Sequence, residues 1–374
     1  MRARRVVLAG FYPPPFAGEP VHVRQLAACL RDRGFTVEVL NLNRHARPSA
    51  EYASATGRLA LLWKLFTSSD RRAVLHLHTN GHGRKSWLLI LVASLAARLR
   101  RTTTILTLHS GLLPAYVGRF GTIRRGLARW VLRGFDRVIC VNEEIRDAIE
   151  RVGITADRTV VVPAFLGVTE PPDLTASDRE LVRPFRPLVV AVAGGEHDPE
   201  RGLAVVLDAV TRLREGFPGL GLVLMGWQVG PKTAPLIQTL GLTGRAICLG
   251  EVPHERCLAL VRSASVFVRS TFSDGDAITV REALALGVPV VASDTSFRPD
   301  GTILFRKGDA ADLASKLADV LGGQTPRPPL SRASHDQPAA ALWQLYSHLA
   351  GLEAAAAALP PPPPRAAAGR RGSW

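Results

Sequence analysis

The chain is short of several things, and each shortage excludes something. It has four cysteines in 374 residues, Cys29, Cys140, Cys248 and Cys257. All sit in apolar settings and none has metal-ligand spacing. That excludes a disulfide framework and a cysteine metal centre, and describes reduced core thiols of a cytosolic protein. No run reaches the roughly 18–20 apolar residues of a spanning helix. The nearest, Trp87 to Leu99, is shorter and broken by Ala-Ala-Arg. The basic start MRARRVVLAGFYPPP has too short an apolar part for a signal peptide and reads as a first strand. No G-x-G-x-x-G follows that strand, so a dinucleotide fingerprint is excluded. Acids are scarce in the first half. Residues 1–170 hold 26 Lys+Arg against 12 Asp+Glu and residues 171–374 hold 21 against 20, so nearly all of the net charge of +15 belongs to the first half. Nucleic acid, an anionic membrane surface or an anionic substrate would each suit such a surface. A GC-rich genome, which favours arginine, would also produce it. Aromatics make up only 6% of the chain and no nucleic-acid-binding pattern occurs, so nucleic acid is not an expected partner.

What is present describes a globular protein long enough for two cores, with 47% hydrophobic and 21% charged residues. Short β-branched runs alternate with amphipathic stretches. Strands are expected at 5–9, 36–40, 74–78, 103–108, 137–141 and 159–162, with helices between them. The alternation stops over the proline-rich stretch 168–186 and restarts at Leu188. This predicts an α/β chain of two Rossmann-like domains facing each other across a cleft. The expected divisions are an acceptor domain at 1–167, a linker at 168–187 and a nucleotide-sugar domain at 188–322. A C-terminal segment follows at 323–352, whose helix packs back, then a disordered Pro/Ala-rich tail at 353–374.

One stretch organises the rest: Ser273 to Asp294, SDGDAITVREALALGVPVVASD. It reads as a polar turn, a short helix capped by Asp276 or Ser273, a stop at Gly287 and Pro289, and a buried strand from Val288 to Ala292. Asp274 and Glu282 bracket the helix start. Free N–H groups of the first turn form an anion site. Carboxylates for hydroxyls beside backbone donors for phosphate suit a nucleotide-sugar.

On these residues the chain resembles glycosyltransferase family 4, the retaining sugar-nucleotide transferases of the GT-B fold (glycosyl transferases group 1). The family pattern E-x7-E followed by A-x-A-x-G-x-P-V-V-A-S is matched by Asp274-x7-Glu282 and then ALALGVPVVAS. Partial matches are Ala17-Gly18-Glu19 after the first strand, Thr107-Leu108-His109-Ser110-Gly111, residues 196–202, and Trp343 to Tyr346 in the last helix. The resemblance covers Arg5 to about Leu349. It implies that Glu282 holds the donor ribose and Asp274 a hydroxyl of the transferred sugar. It places the backbone of Ile278, Thr279 and Val280 on the diphosphate, Arg201 in the role of a phosphate-binding lysine, and His109 at the reacting centre. Gly18 would let the first loop approach the diphosphate. The chain departs from the pattern at Asp274 (Glu in the family), Glu19 (Gly), Glu196 (Arg) and Pro163-Ala164-Phe165 (Pro-Asn-Gly).

The expected activity is transfer of a sugar from a nucleotide-sugar to a hydroxyl of a glycan or lipid-linked acceptor, with retention, in polysaccharide or cell-envelope glycan synthesis. No cofactor and no metal are expected, since the nucleotide-sugar is a substrate. Asp274-Gly275-Asp276 is a D-x-D, and His76, His78 and His82 lie close in sequence, but neither has the surroundings of a metal site. The basic stretch 119–133, with Phe120, Leu127, Trp130 and Val131 interleaved, suits docking on an anionic membrane. The location expected is cytoplasmic, peripheral at the inner membrane face. The alternative reading is a catalytically weakened GT-B homologue that binds or scaffolds in polysaccharide assembly, supported by Glu19 and Glu196. An epimerase or a phosphorylase would use the same architecture.

Overall fold

A computed structural model describes residues 5–54, 58–168, 171, 173–194, 199–324 and 336–349. The first sheet contains β1 (Arg5–Gly10), β2 (Thr36–Asn41), β3 (Ala53–Ser54), β4 (Ala73–Thr79), β5 (Thr103–Leu108), β6 (Arg137–Cys140) and β7 (Thr159–Val161). The second contains β8 (Leu188–Val192), β9 (Gly221–Met225), β10 (Ala246–Gly250), β11 (Val266–Arg269), β12 (Val290–Ser293) and β13 (Thr302–Phe305). Six helices accompany the first sheet: α1 (Gly18–Asp32), α2 (Arg58–Ser68), α3 (Arg84–Arg100), α4 (Leu113–Gly118), α5 (Thr122–Leu132) and α6 (Glu143–Val152). A short α7 (Ala176–Val182) lies between the sheets. Then come α8 (Leu203–Leu213), α9 (Ala234–Thr239), α10 (His254–Arg262), α11 (Ile278–Ala285), α12 (Ala310–Leu321) and α13 (Asp336–Leu349).

The strands are almost continuous apolar runs, and their central members are buried along their length. That pattern belongs to parallel sheets covered by helices on both faces. The registers are parallel throughout, for example Val6 beside Val37 and Val74, and Val190 beside Val223 and Phe267. The strand orders are β3-β2-β1-β4-β5-β6-β7 and β10-β9-β8-β11-β12-β13. Each sheet therefore reverses its winding once, between β1 and β4 and between β8 and β11. Loops leaving the carboxyl ends of those strands diverge and leave a crevice for ligand.

Two observations sharpen the expected organisation. The stretch read as a bare linker contains α7, because Thr175 accepts from the Asp178 N–H and starts a turn. Arg256 of α10 then grips Asp178 at 2.6 Å, tying the linker to the second half. At the far end, α13 lies on the first sheet. Leu342 and Tyr346 pack into the core around Val6, Leu8, Val74, Ile105 and Ile139. The Tyr346 hydroxyl pairs with His76 Nδ1 at 2.5 Å, and His76 Nε2 with Thr107 Oγ1 at 2.6 Å. The Pro/Ala-rich tail at 353–374 and Glu196 lie outside the described residues.

Candidate active site between the two sheets

The loops that follow β1, β5 and β11 meet. A Cβ on Gly275 would lie 1.8 Å from the His109 carbonyl oxygen, and one on Gly111 would lie 2.2 Å from the Asp274 carbonyl oxygen. Asn142, the N-cap of α6, reaches across to donate from Nδ2 to the Gly275 carbonyl at 2.6 Å. Ile278 Cδ1 would lie 3.8 Å from a Cβ on Gly18, so the two expected diphosphate contacts face each other from opposite halves.

The start of α11 differs from expectation. Its N-cap is Ala277, with no side-chain cap. Ser273 does not cap it, and Asp276 is engaged elsewhere. One Asp276 oxygen accepts from the Ala164 N–H at 2.8 Å and the other from Arg281 at 2.6 Å. Those partners are stronger than a cap would be, because a buried carboxylate needs charge or several donors. The first-turn N–H groups thus keep no side-chain cap, as an anion site requires. Val280 N–H already donates to the Ala277 carbonyl at 2.9 Å, so Ile278 and Thr279 head the helix. The far end is as expected, with Gly287 at φ 70°.

Glu282 is 1% exposed. Its Oε1 pairs with His254 Nε2 at 2.6 Å, while Oε2 is buried and has no partner. Asp274 sits deep in a charge cluster. Arg269 holds it with two bonds, Nε to Oδ2 at 3.1 Å and Nη2 to Oδ1 at 2.7 Å. Arg298 Nη1 adds a bond to Oδ2 at 2.7 Å, and the Thr271 hydroxyl donates to the same oxygen. Burial alone would raise its pKa, but the two guanidiniums overcome that and hold Asp274 well below the usual carboxylate range. Oδ2 is filled by three donors. Oδ1 has one, so it keeps room to accept another.

His109 follows β5, and its Nε2 lies 3.2 Å from His78 Nδ1. His22 joins them: the ring nitrogens of His22, His78 and His109 lie within 4.8 Å of one another. Sequence reading grouped His78 with His76 and His82 and missed His22, which arrives from α1. His22 Nδ1–H donates to the Ala164 carbonyl at 2.6 Å. Burial pushes His22 down to about 4, and burial with neighbouring imidazoles pushes His76, His78 and His109 well below the ordinary histidine value. At neutral pH these are uncharged rings that can exchange hydrogen bonds. Their ring nitrogens are close enough together to share a cation. No carboxylate or thiol joins the three among the described residues, and only His22 has its second nitrogen fixed by a carbonyl in the way ligating histidines are usually oriented.

Arg201 closes the 3-10 turn Pro199–Arg201, and its stem lies against Gly194. The Phe272 N–H donates to the Glu200 carbonyl at 2.7 Å, which ties this loop to the one carrying Asp274. Glu19, in the first turn of α1, is buried and accepts from the Phe11 N–H at 3.4 Å. Burial, only partly offset by that bond, pushes Glu19 up to about 7.

Comparison with known proteins identifies the arrangement. The family described as "Glycosyl transferase 4-like domain" matches residues 17–164, and "Glycosyl transferases group 1" matches residues 186–322. The chain belongs to glycosyltransferase family 4. It is therefore a glycosyltransferase, built on the GT-B fold. Among relatives of this glycosyltransferase, D-inositol 3-phosphate glycosyltransferase of Nocardia farcinica is 28% identical over 253 residues, 59% of this chain and 56% of that protein. Phosphatidyl-myo-inositol mannosyltransferase of Mycobacterium leprae is 26% identical over 333 residues, 81% of this chain and 83% of that protein. Anabaena Alr3699/HepE, solved in complex with UDP and glucose, superposes with a TM-score of 0.66 at 16% identity, covering 95% of this chain and all (100%) of that one. That likeness concerns the fold alone.

Sequence reading of the glycosyltransferase missed six residues that the structure puts against the expected site: His22, Asn142, His254, Arg269, Thr271 and Arg298. Only Asn142 left a signal, as a polar residue between a strand and an amphipathic helix.

Proposed function

We propose that the protein is a retaining glycosyltransferase that moves a sugar from a nucleotide-sugar to a hydroxyl of a glycan or lipid-linked acceptor in cell-envelope glycan synthesis. The observation that carries this reading is Glu282. A buried carboxylate with one oxygen held by His254 and the other without a partner is costly unless a ligand supplies a donor. A ribose hydroxyl is such a donor. The N–H groups of Ile278 and Thr279 point the helix start at the diphosphate, Val280 completes that turn, and Arg201 adds a cation. Gly18 closes over the phosphates from the other half. Asp274 Oδ1 accepts from a hydroxyl of the transferred sugar, and the neutral His109 lies beside that sugar. No metal or cofactor is needed for this set of contacts. The departing diphosphate is stabilised by preorganised donors, and the closing cleft keeps water from the donor.

The acceptor side rests on surface chemistry. Ile123, Leu127 and Trp130 of α5 are exposed, as are Leu95 and Leu99 of α3. Arg124, Arg125, Arg129 and Arg133 surround them, all exposed. Arg98 stacks 4.6 Å from the Trp130 ring and joins the two helices into one patch. No helix among the described residues is long and apolar enough to cross a membrane. An apolar stripe ringed by arginines suits the surface of an anionic membrane, here the inner face. The mycobacterial relative named as a phosphatidyl-myo-inositol mannosyltransferase supports a lipid-linked polyol as the acceptor class.

The test is turnover of UDP-, GDP- and ADP-sugars with a panel of inositol- and glycan-bearing lipids. The wild-type protein should consume one donor only when an acceptor is present. Glu282→Ala should lower donor affinity by about 10- to 100-fold, as expected for lost hydrogen bonds to a charged group. Near-normal turnover in that variant would remove the ribose role.

A further inference from the structure

We propose that His254 is the positioning residue for Glu282, and that Arg24 from the facing half sets its tautomer. His254 opens α10 and is buried, with 8% exposure. Its Nε2 lies 2.6 Å from Glu282 Oε1, and its Nδ1 lies 3.4 Å from Arg24 Nη2. A guanidinium can only donate. Nδ1 therefore accepts, and the ring proton sits on Nε2, where it is donated to Glu282 Oε1. That bond fixes the carboxylate plane and leaves Oε2 buried and unpartnered, the oxygen to which a ligand hydroxyl would donate.

Arg24 belongs to α1, on the other side of the cleft. Glu255, the next residue of α10, holds its Nη2 at 2.7 Å, and the Phe16 ring lies 5.9 Å from its guanidinium carbon. The loop carrying Phe16 is itself tied across, since the Phe16 N–H donates to the Glu251 carboxylate. Arg24 reaches His254 only while the two halves are together. One imidazole thus joins the carboxylate that takes the donor to the contact that holds the halves in place. By linkage, whatever favours one favours the other. The proposal rests on the nucleotide-sugar reading above and adds to it the residues that orient the ribose contact.

The experiment is calorimetric titration of the full chain with UDP, GDP and ADP. His254→Leu should weaken binding of the preferred nucleotide about tenfold or more, because Glu282 loses a charge-assisted bond and its orientation. His254→Gln, whose amide can still donate to Glu282, should stay within about threefold of wild type. Arg24→Ala should weaken binding of the same nucleotide, and should add nothing in the His254→Leu background. Wild-type affinity in His254→Leu overturns the proposal, as does a His254→Gln variant as weak as His254→Leu. Multiplicative effects of the Arg24 and His254 changes also overturn it. Should His254→Leu fail to fold, Arg24→Ala decides alone: unchanged affinity overturns the relay. Failure of the wild type to bind any of the three nucleotides is a separate outcome. It removes the donor reading itself, and this proposal with it.

Discussion

Gly275 and His109 meet with no room for a side-chain carbon between them: a Cβ at 275 would stand 1.8 Å from the His109 carbonyl oxygen. The loop carrying Asp274 therefore rests directly on the loop that ends β5. Asn142 fixes the approach through the Gly275 carbonyl. Gly275→Ala should force the two loops apart. Overpacking of this kind costs about 1–3 kcal/mol, and the contact spans the cleft, so the loss should fall on closure. Sugar transfer should drop by about 5- to 150-fold, with thermal unfolding little changed. Normal transfer by the variant would mean that this contact is not part of the working form.

Asp274 is a structural anion as well as the proposed sugar contact. Two guanidiniums converge on it, from Arg269 and Arg298, whose side chains are 14% and 3% exposed. Asp274→Asn leaves both positive charges without their partner, and breaking such a buried pair costs about 3–5 kcal/mol. The pH dependence has a definite sign. The folded pKa lies well below the ordinary value, so the stabilisation is present above about pH 4 and is lost only as pH falls through the depressed value. Denaturant unfolding should show the variant destabilised by a similar amount at pH 7 and at pH 5. Equal stability of the two proteins at pH 7 would contradict the cluster.

Local features of the site were legible in the sequence, and cross-chain ones were not. Helix α6 ran from Glu143 to Val152 as expected, because Asn142 caps it and Gly153 ends it in the left-handed region. The strand after Gly287 was equally plain, being β-branched and apolar. The start of α11 was misread because Asp276 looks like a cap to its own helix, yet Ala164 lies 112 positions away and outcompetes the helix for it. In the same way Glu282 was visible as a motif acid, but its partner His254 lies in another helix. Arg298 reaches Asp274 from the loop after β12. The buried imidazole group was hidden for a related reason. His22, His78 and His109 come from a helix, a strand and a loop, and only the sheet order brings them together.

Glu19 offers a further test, because burial holds its carboxyl at about 7 against an ordinary 4.5. Its folded form prefers the proton, so stability should fall as pH rises from about 4.5 through about 7, opposite in sign to Asp274. Glu19→Gln removes that slope. At pH 8 the variant should be more stable by up to about 3 kcal/mol, from roughly two and a half pKa units. It should also bind nucleoside diphosphate more tightly, since a negative charge beside Gly18 is gone. Parallel stability curves for the two proteins between pH 5 and 8 would place Glu19 in a wetter setting than the fold gives it.

The patch formed by α3 and α5 makes the last prediction. Its arginines supply an attraction that salt screens, and Ile123, Leu127 and Trp130 supply one that salt does not. The two contributions can be separated. Reversing Arg124, Arg125 and Arg129 to glutamate removes about 1 kcal/mol of attraction per residue before any repulsion is counted, so binding to phosphatidylserine vesicles should weaken at least about 100-fold. Changing Ile123 and Leu127 to serine should weaken binding less at low salt, and should cut most of what survives at high salt, leaving the share of Trp130. Turnover of a soluble acceptor should be untouched in both variants, because the partners of Glu282 and Asp274 are His254, Arg269, Thr271 and Arg298 and not residues of the patch. Vesicle binding that is indifferent to the arginines would leave the excess positive charge of the first half without a membrane role.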